Sequence, residues 1–301
     1  MAGLGKSTLA TYLYNLNRSD FSRSCFLSEI RKKDLPSLQR ELLRDLLGCD
    51  FYIRDTRQGK GILSDRLRGL QVLIVLDDAD HIRQINSLLV TDVVGSRSLI
   101  LITSRDQDLL RRSSPKTVLY NLKPLQREHA QELFCRHAFH QSKPCEGFEH
   151  LVEEALKICG GLPLSLQVLG GQFLGRREEA SWRRQLEKFS RRLPDDIMDT
   201  LKLSYQALNS EEKDIFLDLG CFFLGEDKEL AVRVFEGLGY EDVWDCLENL
   251  HQKSLIENHD DVQSDEEPVR IISLFYVFYT KRVIPVESYT PYLFLLASDS
   301  D

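Results

Sequence analysis

Four short apolar runs, set apart by stretches of helical periodicity, limit most strongly how the first 122 residues can fold. Ser24-Cys25-Phe26-Leu27, Val72 to Leu76, Leu99 to Ile102 and Thr117 to Tyr120 each place apolar side chains at successive positions. That is the pattern of a strand buried on both faces. Between them Leu9/Tyr12/Leu13/Leu16 and Leu35/Leu38/Leu42/Leu46 recur at helical spacing, one apolar stripe per helix. Alternating strands and helices pack as a parallel sheet with helices on both faces, an α/β architecture.

After Leu122 the strand pattern stops. Segments near 127–140, 147–159, 164–174, 179–189, 197–208, 210–223, 228–236 and 241–252 read as helices. Gly160-Gly161-Leu162-Pro163 punctuates them, with glycine past one helix end and proline at the next start. Gly237-Leu238-Gly239 marks a further stop, and Ser254-Leu255-Ile256 reads as a short strand. From Asn258 the chain turns acidic and then aromatic, without a pattern that assigns structure.

Composition excludes several classes of function. The chain has 301 residues, 42% of them hydrophobic and 29% charged, as in globular proteins. A formal charge of -8 argues against general affinity for nucleic acid or anionic membranes. The basic run Arg31-Lys32-Lys33 lies among acids and reads as a solvated helix face. Seven cysteines, odd in number and without a C-x-x-C pair, fit reduced thiols in a cytosolic or nuclear protein. The most apolar stretch, Ile271 to Tyr279, is far short of the ~20 residues that span a bilayer.

Three motifs carry chemistry. Gly5-Lys6-Ser7-Thr8 fits the end of G-x-x-x-x-G-K-[ST], whose first glycine would precede residue 1. In that pattern backbone N–H groups curl around phosphate oxygens, the lysine reaches the β- and γ-phosphates, and the hydroxyl ligates Mg²⁺. The following helix adds its positive N-terminal end. Next, the strand Val72 to Leu76 ends in Asp77-Asp78. A carboxylate there can hold Mg²⁺, and a second can polarise an attacking water. Finally, Ile102-Thr103-Ser104-Arg105 puts an arginine at a strand's C-terminal edge, where such sheets bind ligands. Arg105 either senses a γ-phosphate or pairs on the surface with Asp106 or Asp108.

Taken in order, Gly3-Leu4-Gly5-Lys6-Ser7-Thr8, Leu73 to Asp80, Thr103-Ser104-Arg105, Gly161-Leu162-Pro163-Leu164 and Phe216 to Phe223 resemble the NB-ARC module of plant disease-resistance proteins of the TIR class. The resemblance covers residues 1–257. It implies a P-loop parallel sheet over 1–122 lacking its first strand, a helical subdomain over 123–194, a winged-helix-like subdomain over 195–257, and a divergent tail over 258–301. It implies ADP and ATP as ligands, with Mg²⁺. Gly3, Leu4, Gly5, Lys6, Ser7 and Thr8 would bind phosphate, Ser7 and Asp77 the metal. Asp78 would support hydrolysis, Arg105 would contact the γ-phosphate, and Pro163 would pack near the adenine. The implied activity is a nucleotide switch of an intracellular immune receptor, a slow P-loop STAND-class ATPase at most, able to associate with itself or with related receptors. The family's Met-His-Asp triplet has no counterpart in Val269 to Phe275. The alternative expectation is a truncated, non-enzymatic interaction fragment that binds no nucleotide.

Overall fold

The computed structural model describes residues 3–90, 92–113, 117–191, 194, 195, 197, 205–223, 227–252, 255–257 and 270–271. The chain divides into two compact units, residues 1–123 with 252–254 and residues 124–251 with 255–301.

In the first unit β1 (Ser24–Leu27), β2 (Leu73–Ala79) and β3 (Leu99–Ser104) form a parallel sheet in the order β1-β2-β3. Helices α1 (Lys6–Asn17), α2 (Leu35–Leu47), α3 (Thr56–Arg66), α4 (Ile82–Leu88) and α5 (Gln107–Arg111) connect and cover it. The α2 helix starts where the Asp34 carboxylate accepts the Ser37 N–H at 3.0 Å, and it ends at Gly48 in the left-handed region. Its stripe Leu38, Leu42 and Leu46 is sealed against Cys25, Leu27, Ile74 and Leu76. Among these leucines sits a polar tie. The buried Gln39 amide donates to Thr56 O at 3.0 Å and Ser87 O at 2.9 Å, joining α2 to the start of α3 and to α4. A Cβ at Gly59 would stand 1.9 Å from Gln39 Oε1, so any larger residue there must displace the Gln39 amide.

Two expectations fail in this unit. Thr117–Tyr120 forms no strand, and Val118 and Tyr120 are 92% and 80% exposed. On α1 the apolar stripe is not the buried face: Tyr12 and Leu16 are 63% and 60% exposed, and the helix rests on β2 and β3 around the small Ala10. For Thr117–Tyr120 the cause is the sheet edge. Among the described residues β3 pairs only with β2, and most of β3 is half-buried where β2 is sealed. An apolar run becomes a strand only where a neighbour completes its hydrogen-bond ladder.

The second unit holds α6 (Arg127–Phe139), α7 (Glu149–Cys159), α8 (Pro163–Phe173), α9 (Glu179–Arg191), α10 (Ser210–Phe222), α11 (Lys228–Gly237) and α12 (Val243–Gln252). These match the expected helices to within a few residues at each end; the one expected over 197–208 lies mostly outside the described residues. The expected strand at 254–256 is β4 (Ile256–Glu257), antiparallel to β5 (Arg270–Ile271). The rest of the 258–301 tail lies outside the described residues. Trp182 centres the core, stacked 4.1 Å from the Phe173 ring and 5.3 Å from Phe139, with its indole N–H on Arg176 O at 3.0 Å. Helices α6 and α8 approach closely because Gly170 faces Phe134 O, which a Cβ would meet at 2.9 Å.

Candidate functional site

The phosphate-loop residues open α1 by a backbone route. Gly3 (φ 78°) and Gly5 (φ 89°) both lie in the left-handed region, and Leu4 is buried between them. Gly5 is the residue before the first helical turn, so the turn's N–H groups have no side-chain cap. Lys6 follows, half-buried, with Ser7 and Thr8 exposed. Burial pushes the Lys6 ammonium down to about 8; the Arg105 guanidinium pushes the same way, against the pull of Asp78 and Asp77.

The end of β2 splits its two aspartates into different environments. A register shift between Leu76 and Ala79 bulges the strand, and Asp78 takes φ 61°, a left-handed conformation that non-glycine residues seldom adopt. Asp77 stays buried at 5% exposure and accepts the Thr103 hydroxyl at 2.7 Å. The same hydroxyl oxygen accepts the Asp78 N–H at 2.8 Å, which fixes the bulge. The Asp78 carboxylate then meets two arginines: Arg31 Nε at 2.8 Å from Oδ2 and Arg105 Nε at 3.3 Å from Oδ1. The Asp80 backbone N–H donates to Gln84 Oε1 at 3.0 Å, and its carboxylate still acts on Arg105 through its charge.

Lys6, Asp77, Asp78 and Arg105 therefore share one electrostatic cluster at the C-terminal edge of the sheet, where the sequence places a ligand site. The surface alternative for Arg105 is not realised: Asp106 caps α5 and Asp108 pairs with Arg112. Sequence reasoning missed Thr103 as the link between the aspartates, and it misread Arg31. In Arg31-Lys32-Lys33 each cation has its own acid, Asp78, Glu29 and Glu41 in turn, and only the first lies in the site. The overlooked signal was position, because Arg31 follows the end of β1 just as Arg105 follows the end of β3. Pro163 is set in the second unit as the first residue of α8. Its turn is clamped by Leu125 N–H on Gly161 O at 2.9 Å, and a Cβ at Gly161 would stand 2.6 Å from Leu125 O.

The donor set suits a polyphosphate with a hydrated divalent ion. Lys6, Arg105 and a glycine-shaped helix start would suit anionic oxygens, while the buried Asp77 carboxylate and the Ser7 hydroxyl are the donor types that would suit a metal. No group of three His, Cys, Asp or Glu residues that could cage an ion occurs among the described residues. Mg²⁺ does not require one, since it keeps waters and phosphate oxygens as ligands. A cavity of about 570 Å³ lined by Arg40, Arg44, Phe51 and Tyr52, among others, shares no residue with this cluster. All seven cysteines are free, and burial raises Cys25 and Cys159 and pushes Cys135 up to about 12, away from the reactive thiolate. No described helix is long and apolar enough to cross a membrane.

A parallel sheet carrying a glycine-lysine loop and a bulged aspartate pair defines the P-loop class of α/β proteins. Residues 1–144 match the NB-ARC domain family, and this part of the chain is an NB-ARC domain. Over 246 residues the chain is 34% identical to the TMV resistance protein N of Nicotiana glutinosa, covering 78% of this chain and 21% of that one. Over 263 residues it is 34% identical to the disease resistance protein RUN1 of Vitis rotundifolia, covering 85% and 20%. The chain thus spans about a fifth of the length of these relatives. A distant likeness in fold, TM-score 0.45 at 14% identity, relates it to a structure of Drosophila ORC bound to DNA, covering 94% of this chain and 80% of that one. The resemblance drawn from the five motifs is borne out.

Proposed function

We propose that the chain binds ADP and ATP with Mg²⁺ and acts as the nucleotide switch of an intracellular plant immune receptor. The observation that carries this reading is the meeting of Lys6, Asp77, Asp78 and Arg105 beside the Gly3–Thr8 loop. In it the N–H groups of Gly5 to Thr8 and the Lys6 ammonium hold phosphate oxygens. The Ser7 hydroxyl and Asp77 hold the metal, whose charge offsets that of the phosphates. Arg105 reaches the terminal phosphate, Asp78 orients the water for slow hydrolysis, and Pro163 packs near the adenine. A nucleotide can switch a protein only if it binds two arrangements with different affinity, and the terminal phosphate is the group by which ATP and ADP differ. The disease-resistance names of the relatives support the immune role.

Titrating the chain with a fluorescent ADP analogue and Mg²⁺ tests this. Saturable binding is expected, with Lys6→Ala weakening it by at least about tenfold, since charge-assisted hydrogen bonds contribute about 1.5–3 kcal/mol each. Equal affinity in the variant would remove Lys6 from the site, and a folded wild-type chain that binds neither nucleotide would overturn the reading. One observation favours the alternative, an interaction fragment without nucleotide: the half-buried edge of β3 and the exposed Val118 and Tyr120 offer surface to another chain.

A further inference from the structure

Asp78 is held from three sides, and one of its partners, Arg31, lies outside the predicted motifs. Arg31 reaches it from the turn after β1, with Nε 2.8 Å from Oδ2, against 3.3 Å for Arg105 on Oδ1. The backbone is bent at both ends of the Arg31 contact. Glu29 at φ 49° and Asp78 at φ 61° are the positive-φ non-glycine residues among the described part of the first unit. Such conformations cost about 1–3 kcal/mol each and persist where their surroundings over-determine them. Here those surroundings are visible. Ile30 is fully buried beside Glu29, and the Glu29 carboxylate takes Lys32, which leaves Arg31 as the cation of this run that faces the site. On the other side Thr103 pins the Asp78 N–H at 2.8 Å. With both carboxylate oxygens engaged by guanidinium groups, Asp78 binds Arg105 in competition with any anion that Arg105 would otherwise take.

We propose that Arg31 is a positioning residue: it is the standing counter-ion of Asp78, and it frees Arg105 to leave Asp78 for the terminal phosphate of a bound nucleoside triphosphate. This rests on the nucleotide reading above. Without Arg31, Asp78 has Arg105 as its remaining partner in this pair of contacts and holds it more firmly. The carboxylate also turns its full charge towards the incoming phosphate. The loss therefore falls on the triphosphate, whose last phosphoryl group needs Arg105, and hardly on the diphosphate.

The test is equilibrium titration of the full chain with a non-hydrolysable ATP analogue and with ADP, both with Mg²⁺, in wild type, Arg31→Ala, Arg31→Lys, Asp78→Asn and the double variant Arg31→Ala/Asp78→Asn. Arg31→Ala is expected to weaken the triphosphate by about tenfold, the size of one lost charge-assisted contact, and ADP by less than about threefold. Arg31→Lys keeps the charge and recovers part of the loss. In the Asp78→Asn background removing Arg31 changes neither affinity, because the carboxylate that Arg31 neutralises is already gone. Equal losses for both nucleotides, an unchanged triphosphate affinity, or a loss that persists in the Asp78→Asn background would each overturn the proposal. Should Arg31→Ala fail to fold by circular dichroism, Arg31→Lys alone decides it: the triphosphate-to-diphosphate affinity ratio must fall, and an unchanged ratio overturns the role. A wild-type chain that binds neither nucleotide removes this proposal along with the nucleotide reading. Wild-type binding with a silent Arg31→Ala removes this one only.

Discussion

Helices α1 and α2 carry apolar stripes of similar spacing, yet their fates differ. Every member of the α2 stripe from Leu38 to Leu46 is sealed, whereas α1 keeps Tyr12 and Leu16 in water and buries Ala10. The sheet beneath them explains this. On the α2 side the Cys25, Leu27, Ile74 and Leu76 side chains beneath the stripe are sealed, whereas α1 rests on β2 and on β3, most of which is half-buried. A helix buries only as much of its stripe as the strands below it cover, so periodicity gives a helix its candidate face and the sheet decides how much of that face is used.

Core truncation should separate the two sides most sharply. Leu42→Ala is expected to cost about 2–5 kcal/mol in a denaturant titration, the range for buried leucines. If it cost no more than a surface change, the α2 side would not be the close-packed one. Gly59→Ala comes next, at about 1–3 kcal/mol, because the new Cβ strikes the Gln39 amide that ties three helices together. A stability equal to wild type would show that Gln39 can swing aside. The pH response probes the α1 side through its lysine. Lys6 loses its proton near 8, and bound polyphosphate favours the charged form, so nucleotide affinity should fall as pH rises through 8, by at most about tenfold per pH unit. Lys6→Arg should flatten that profile, since a guanidinium stays charged throughout. A wild-type profile flat from pH 7 to 9 would mean the ammonium does not touch the phosphates. Smallest of all, Leu16→Ala should change stability by no more than about 0.5 kcal/mol. A loss approaching that of Leu42→Ala would mean that the α1 face is covered in solution.

Much of the first unit was legible because β1, β2 and β3 are continuous apolar runs that find one another as ladder partners. Thr117–Tyr120 has the same signature and failed, since a run of side chains says nothing about whether a ladder partner exists. Of the site, Lys6, Asp77, Asp78 and Arg105 were legible from residue type and strand-end position, and the structure brings these four into one cluster. Arg31 was hidden by its setting. Three successive cations look like solvent-facing charge until the fold assigns each its acid. Thr103 was hidden for another reason: a hydroxyl bridging two carboxylate-bearing residues leaves no pattern in spacing, and it emerges only from the bulge that brings Asp78 N–H and Asp77 Oδ1 to one oxygen.

Trp182, boxed in by phenylalanine rings, has one further consequence. The chain holds two tryptophans, and both Trp182 and Trp244 belong to the second unit. Trp182 is fully sealed; Trp244 is about half in water, with the Lys228 ammonium 5.1 Å over its ring. Ultraviolet emission from this protein is therefore a two-colour gauge, one lamp dry and one wet, both carried by the unit that does not contain the Gly3–Thr8 loop. A shift in that light on adding nucleotide would mark an event passed from one half of the chain to the other, with no dye, label or substitution needed to see it.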